Sequence, residues 1–417
     1  MTVSPTCTTN PNLDTGIYVN SRVSEVISEA GEVVTETSYV SEDSGESMTA
    51  VSKVFSPILE ATSTISMRHW MQSLALPSHV VASVFRAPFR IAIKGKRRGT
   101  WSTEMEVAVS AFRSACRYAP RDLSLLRAWT DIGVPPILLP KGAICRTSRL
   151  HGMKTEWVYP ESFTESFSTE SVRVWSSTHP IVLYIHGGGF CLCGSNTHRN
   201  IVCSFAMENL VLFVPNYRRP PDVDLTEAVN DCAAAYTYLV TTIGIDPHRI
   251  SIMGDSAGGA LAVLLLQKLE SPPVSSLVLI SPWCDLADPE IHAAAAAGTV
   301  MPEFDYLPLD AMVMISDIVM GSHSKNDPKI NPMYSSASNF PKTLIHVGQL
   351  EVLFNQIVRF YDKLIDNGVD VKMTIWTDMV HVPHAFTHVS ETARIAVVEA
   401  AKFVKNSLFI QSGVGMS

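Results

Sequence analysis

The sequence predicts an α/β fold, a mostly parallel sheet with helices on both faces, and three observations predict it. Short apolar runs alternate with helical stretches from about residue 157 to the end. Glycine-rich turns follow two of those runs, at Gly187–Gly189 and at Gly254 and Gly258, where an open α/β sheet places its site. The chain of 417 residues, 46% hydrophobic and 17% charged, has enough apolar surface for a large core, which excludes a wholly disordered protein.

In chain order, residues 1–55 are rich in Ser, Thr, Glu and Val and hold no aromatic cluster. Residues 1–60 carry nine acids and two bases, a net of −7, against −8 for the whole chain. Such a segment buries too little to offset its ordering entropy, so a disordered acidic tail is expected over 1–55. Residues 65–99 place Trp70, Leu74, Val81, Phe85 and Phe89 among Arg68, Arg86 and Arg90, and end in Lys94-Gly-Lys-Arg-Arg98. This reads as an amphipathic helix broken at Pro77 and Pro88. Its basic face packs on its own domain with the charges in water or, alternatively, gives residues 65–98 a peripheral contact with an anionic membrane surface. The packed arrangement is preferred, because solvated charges are the commoner outcome. Residues 103–129 continue as helix until Val134-Pro-Pro136.

Strands are then expected over 157–159, 172–175, 181–185, 211–214, 250–253, 277–280, 344–347 and 371–376. Helices are expected over 200–208, 225–243, 257–269, 354–367 and 391–406. The interval 284–330, with a helical 309–320, is too long for a plain connection. It is read as an insertion that forms a cap together with the N-terminal helical segment 56–150, over a catalytic domain spanning 151–417.

Charge and cysteine usage narrow the function. A net of −8 argues against a nucleic-acid binder held by phosphate neutralisation. Eight cysteines without a C-x-x-C pair argue against a disulfide framework or a zinc site. No basic-then-apolar leader and no long uncharged apolar run occur, so a cytoplasmic protein with reduced thiols is expected.

The chemistry lies in three places. Gly254-Asp-Ser-Ala-Gly258 follows one expected strand and opens a helix. Small residues around Ser256 permit the tight strand-to-helix turn that leaves a nucleophilic Oγ exposed above a sheet. His186-Gly-Gly-Gly-Phe190 ends an earlier strand, and successive glycines let backbone N–H groups face a cavity unobstructed. The amides of Gly188 and Gly189, with that of Ala257, are the expected oxyanion donors. His186 and Gly187 belong to the same motif, His186 as an orienting residue rather than a base. Late in the chain Asp378-Met-Val-His-Val-Pro-His-Ala-Phe386 offers both His381 and His384 as base. Gly348-Gln-Leu-Glu-Val-Leu353 offers Glu351 as the acid that would hold the imidazole. No third clustered ligand accompanies the two histidines, so neither a metal nor a cofactor is expected.

Together these residues resemble the hormone-sensitive-lipase-like branch of the α/β-hydrolases, which includes arylacetamide deacetylase, steryl acetyl hydrolases and microbial carboxylesterases. The resemblance runs from about residue 159 to 404. Besides the two glycine motifs it includes Asn216-Tyr-Arg218 followed by prolines, a helix bearing Asp231, Ser281-Pro-Trp-Cys-Asp285, and Asn331-Pro-Met333. It implies an α/β-hydrolase fold with a helical cap, Ser256 as nucleophile, His381 as base, and Gly188, Gly189 and Ala257 as oxyanion donors. Two departures stand out. The family's acid is normally Asp in G-x-x-D-x-L, and this chain has Glu351. The family's His-Gly-Phe ending is replaced by His381-Val-Pro-His-Ala-Phe386, which keeps His384 in contention. The resemblance implies a serine carboxylic-ester hydrolase acting on a small hydrophobic ester with a short acyl chain, for instance an acetylated sterol or secondary metabolite. The alternatives are an amidase and a non-catalytic small-molecule-binding protein on the same fold.

Overall fold

The computed structural model describes residues 21–27, 33–39 and 67–411 apart from 121, 132–138, 164–165, 271 and 339, with side chains placed from residue 78 to 408. Among the described residues ten strands form one sheet: β1 (Ser21–Ile27), β2 (Val33–Tyr39), β3 (Ala143–Leu150), β4 (Met153–Pro160), β5 (Ile181–Ile185), β6 (Val211–Pro215), β7 (Ile250–Asp255), β8 (Ser276–Ile280), β9 (Thr343–Gly348) and β10 (Val371–Trp376). Their order is β1-β2-β3-β4-β6-β5-β7-β8-β9-β10. From β6 to β10 every pair is parallel, and β4, β3, β2 and β1 extend one edge antiparallel.

Eleven helices accompany the sheet among the described residues: α1 (Met67–Lys94), α2 (Thr103–Arg117), α3 (Leu123–Thr130), α4 (Thr169–Thr178), α5 (Arg199–Met207), α6 (Leu225–Thr237), α7 (Ala257–Lys268), α8 (Pro289–Ala296), α9 (Leu309–Met320), α10 (Phe354–Asp366) and α11 (Glu391–Gln411).

Strand alternation divides the core into two layers. Leu183, Phe213, Ile252, Leu279 and Ile345 face one side, under α6, α7 and α10. Val182, Leu212, Met253, Val278 and Leu344 face the other, under α5 and α11. Helix α7 is apolar all round and buried along almost its whole length, as a helix wedged behind a central strand must be.

A third cluster lies over the ends of β9 and β10 and joins distant parts of the chain. Trp101, Met105 and Val109 of the N-terminal segment pack with Tyr306 of the 284–330 insertion and with Trp376, Met379 and Phe386. Polar contacts reinforce it. Trp101 Nε1 donates to the Asp378 carbonyl at 2.6 Å, Thr100 Oγ1 donates to Asp378 Oδ2 at 2.7 Å, and Arg98 pairs with the same carboxylate. The basic run ending at Arg98 is therefore largely occupied within the fold: Lys96 donates to the Trp101 carbonyl and Arg97 pairs with Glu106.

Several sequence expectations need correction. Residues 172–175 are not a strand but part of α4, where Ser168 and Ser171 form a capping box and Val172 and Trp175 supply the buried face. A run of four such residues fits either period, and the cap decides it. Helix α1 is not broken at Pro77 or Pro88; it runs through both, and Pro88 lies exposed. A proline ring turned to solvent leaves the freed carbonyl to water and bends a helix without ending it. Strand β3 was unforeseen, because its polar AICRTSRL lacks an apolar face. The tail expected to be disordered over 1–55 contains the β1–β2 hairpin, paired from Ser21↔Tyr39 to Ile27↔Val33. Its Val- and Thr-rich alternation favours strand where a partner edge is available. The rest of that tail, and the Val134-Pro-Pro136 stop, lie outside the described residues. No helix among the described residues is long and apolar enough to cross a membrane.

Candidate active site

Ser256 sits between the end of β7 and the start of α7 with φ 53° and ψ −122°, a left-handed conformation that a non-glycine residue adopts only when its surroundings enforce it. The enforcement is visible. Ser256 N donates to the Ile280 carbonyl at 2.8 Å, and the Ser256 carbonyl accepts from Trp283 N at 2.9 Å. The turn also needs its glycines: a Cβ on Gly254 would strike the Gly258 backbone, and one on Gly258 would strike the carbonyls of Ile185 and His186. The motif's spacing thus reflects backbone contact.

His381 and Ser256 come together, with Nε2 2.9 Å from Oγ. His384 does not. It is buried on the opposite face of the sheet, with Nε2 3.2 Å from His346 Nδ1 and its ring stacked over Phe205. Burial holds His384 well below the ordinary histidine value and lowers His346 to about 3, so both are neutral packing partners.

Glu351 lies on the turn after β9. Its Oε1 faces His381 Nδ1 across 3.8 Å, and neither atom has a hydrogen-bond partner. Its Oε2 accepts from Ser281 Oγ at 2.6 Å and from Gly348 N at 2.9 Å. Burial pushes the Glu351 carboxyl up, opposed by His381 and Ser281. Burial alone would lower His381, but the facing Glu351, helped by Asp305 and Asp255, outweighs it and leaves the imidazole raised. Nδ1 facing a carboxylate fixes the tautomer in which Nε2 can accept the serine proton.

The glycine loop stands beside this pair. Gly188 and Gly189 have φ of 113° and 58°, and no acceptor among the described residues takes the N–H of Gly188, Gly189 or Ala257. A Cβ on Gly189 would press on Ile315 Cδ1 at 3.2 Å, so α9 of the insertion lies directly over the loop. Among the described residues His186 makes no hydrogen bond to Ser256. It stacks on Tyr217 with centroids 4.3 Å apart, its Nδ1 lies 2.8 Å from the Gly187 carbonyl, and burial lowers it to about 3.

Four supporting residues escaped sequence reasoning. Asp255, next to the serine, is buried and accepts from Tyr184 OH at 2.8 Å and from Gly187 N at 3.0 Å. It also faces His198 Nε2 at 3.2 Å. Despite burial, this company keeps its carboxyl below the ordinary aspartate value, and Asp255 in turn raises His198. Ser281 bridges acid and base, donating to Glu351 and accepting from Val382 N at 3.0 Å. Asp305 accepts from His381 N at 3.1 Å and Val352 N at 2.9 Å, fastening the insertion to both loops. Asp255 and Ser281 stand inside recognised motifs. His198 and Asp305 carry no local signal, since their partners are remote in sequence.

Comparison with known proteins agrees with this architecture. A family model described as alpha/beta hydrolase fold matches residues 182–385. An acetyl-hydrolase of Streptomyces hygroscopicus is 30% identical over 245 residues, 58% of this chain and 80% of the relative. A carboxylesterase/phospholipase, LipF, of Mycobacterium tuberculosis is 29% identical over 283 residues, 65% of this chain and 75% of the relative. Among solved structures, an esterase/lipase from an uncultured bacterium superposes with TM-score 0.60 at 25% identity, over 72% of this chain and 98% of that one. A hormone-sensitive lipase from a metagenome library gives the same score and identity over 72% and 97%. The chain belongs to the α/β-hydrolase family, in its hormone-sensitive-lipase-like branch. Within that branch it is an enzyme of the esterase class.

Proposed function

We propose that the chain is a serine carboxylesterase that removes a short acyl group from a hydrophobic alcohol, with Ser256, His381 and Glu351 as its triad. The observation that carries this reading is the 2.9 Å approach of His381 Nε2 to the hydroxyl of a serine held at positive φ. Ser256 Oγ attacks the ester carbonyl as His381 takes its proton. The N–H groups of Gly188, Gly189 and Ala257 receive the oxyanion, and the α7 N-terminus adds favourable potential. The alcohol departs with the proton from His381. Water, activated by the same base, then hydrolyses the acyl-enzyme. Glu351 keeps the ring oriented and stabilises the imidazolium. Every group required is supplied by the chain, and no cofactor takes part.

The N-terminal helices and the insertion act as the cap. Ile315 over the glycine loop and Tyr306, ring-to-ring with His381 at 5.9 Å, make an apolar roof close above the serine. A low roof of this kind suits an acetyl-sized acyl group, with the apolar remainder of an acetylated sterol or secondary metabolite directed outward.

The test is hydrolysis of p-nitrophenyl esters from acetate to decanoate. Turnover should be greatest for the short acyl chains. Ser256→Ala and His381→Ala should each lose about 10³-fold or more in kcat, as removal of triad members does elsewhere. His384→Ala should retain kcat in whatever fraction folds. Loss of turnover in His384→Ala alone would overturn the assignment, and a profile rising toward decanoate would overturn the short-acyl reading.

A further inference from the structure

Away from the serine, an open cleft of about 350 Å³ lies between α1 and α2, with Met301 also lining it. Five arginines reach it: Arg86 and Arg90 from α1, Arg97 from the turn beyond, and Arg113 and Arg117 from α2. Among the described residues only one carboxylate is paired with them. Glu106 is fully buried and takes Arg90, together with the backbone N–H and guanidinium of Arg97. Arg113 donates to neutral acceptors, the carbonyls of Pro302 and Asp305. Arg86 has no ion pair among the described residues, and the Arg117 guanidinium lies 5.9 Å from the Tyr118 ring. The cleft therefore concentrates positive charge that its own walls leave uncompensated.

A second observation points to a ligand. Ser110 is only 7% exposed and lines the cleft, and among the described residues its hydroxyl has no hydrogen-bond partner; Arg97 Nη1 is likewise buried without one. Unsatisfied buried donors beside unneutralised guanidinium groups call for an acceptor-rich anion. Several guanidinium forks lining one cleft suit a tetrahedral group with three free oxygens better than a planar carboxylate, which one fork can saturate. Helix spacing identifies the carrier. The cleft takes Ser83, Arg86 and Arg90 of α1, whereas the exposed apolar side chains Val81, Phe85 and Phe89 recur at i, i+4 on another face. A membrane that received those side chains would not meet the cleft.

We propose that this cleft binds the phosphate group of a small soluble metabolite, gripped by Arg86, Arg97 and Arg117 above the Ser110 hydroxyl. The site is separate from the ester chemistry. It is nevertheless joined to it structurally, since Arg113 holds the backbone of Asp305, whose carboxylate fastens the loops bearing His381 and Glu351.

Calorimetric titration of the full chain with inorganic phosphate and with pyrophosphate, at ionic strength held constant with chloride, tests it. Saturable binding of at least one is expected, weakened about tenfold or more in the double variant Arg86→Gln/Arg117→Gln, because each charge-assisted bond lost is worth a large factor. Neither residue touches the catalytic groups, so unchanged p-nitrophenyl acetate turnover certifies that the variant is folded. Equal binding by Ser256→Ala keeps the outcome independent of the esterase reading. Absence of saturable binding, or equal affinity in the double variant, overturns the proposal. So does sedimentation with phosphatidylcholine–phosphatidic acid vesicles without binding of the free phosphates, which would assign the region to a membrane surface.

Discussion

The acid proposed for this site is a glutamate whose two oxygens have different partners. Oε2 is tied down by Ser281 and Gly348, while Oε1 alone faces His381, 3.8 Å from Nδ1. That separation is long for a hydrogen bond, and catalytic contacts of this kind commonly tighten only when substrate is bound. Replacing Glu351 by Gln keeps the shape and removes the charge that supports the imidazolium. Its kcat should fall by about 10²- to 10⁴-fold with a much smaller change in KM, measured by steady-state kinetics on p-nitrophenyl acetate. The pH profile supplies a second check. His381 must be neutral to accept the serine proton, and Glu351 raises its pKa in the fold. Activity should therefore be lost as pH falls through a value above the ordinary 6.5, and that acid limb should move downward in Glu351→Gln. At this scale the residues of the candidate site could be picked out locally, because Ser256, the glycines and Glu351 each sit in a short pattern. The choice between His381 and His384 could not be made so. They follow the end of β10 by only five and eight residues, and only the turn carrying Val382 at φ 48° sends one to the serine and the other behind the sheet.

Elements were legible where burial imposes a single period. β5 fell where its apolar run placed it, because every second residue of this central strand must match a helix-covered layer. Period gave no such guidance for α4 or β3, the first decided by a serine cap and the second by the partner strands beside it. The same dependence on remote partners makes the N-terminal helices important to the site. Trp101 is 3% exposed within the cluster that includes Tyr306 and Phe386, and its indole N–H holds the carbonyl of Asp378, three residues before His381. Trp101→Ala should cost about 3–5 kcal/mol of stability, read from a denaturant midpoint. It should also lower kcat in the fraction that remains folded, because the histidine loop loses its anchor. Acid should weaken this same junction. Bonds from Thr100 and Arg98 hold the Asp378 carboxyl below its ordinary 3.8. Their contribution is present above that value and is lost as pH falls through the lower folded one.

On the scale of the molecule, charge and chemistry are segregated. Nearly all the net negative charge belongs to residues 1–60, whereas the part that carries the site is close to neutral. The β1–β2 hairpin joins the sheet at its antiparallel edge, beyond β3. Five strand spacings, about 24 Å, separate β2 from β7 and its serine. Among the described residues nothing in that geometry carries an effect of the hairpin to the proposed triad, whose residues follow β7, β9 and β10 at the parallel end. Removing residues 1–55 should therefore leave kcat/KM for p-nitrophenyl acetate within about twofold of the full chain. The edge itself should respond. Without β2, which pairs with β3 at Thr35↔Thr147, β3 is left as an open edge of largely polar residues, a surface on which other chains can pair. The truncated protein, having also lost most of its repulsive charge, should associate at lower concentration than the full chain, as light scattering across a dilution series would show. Equal scattering from both would mean that the hairpin does not protect the edge; a fall in turnover would place part of the segment against the site.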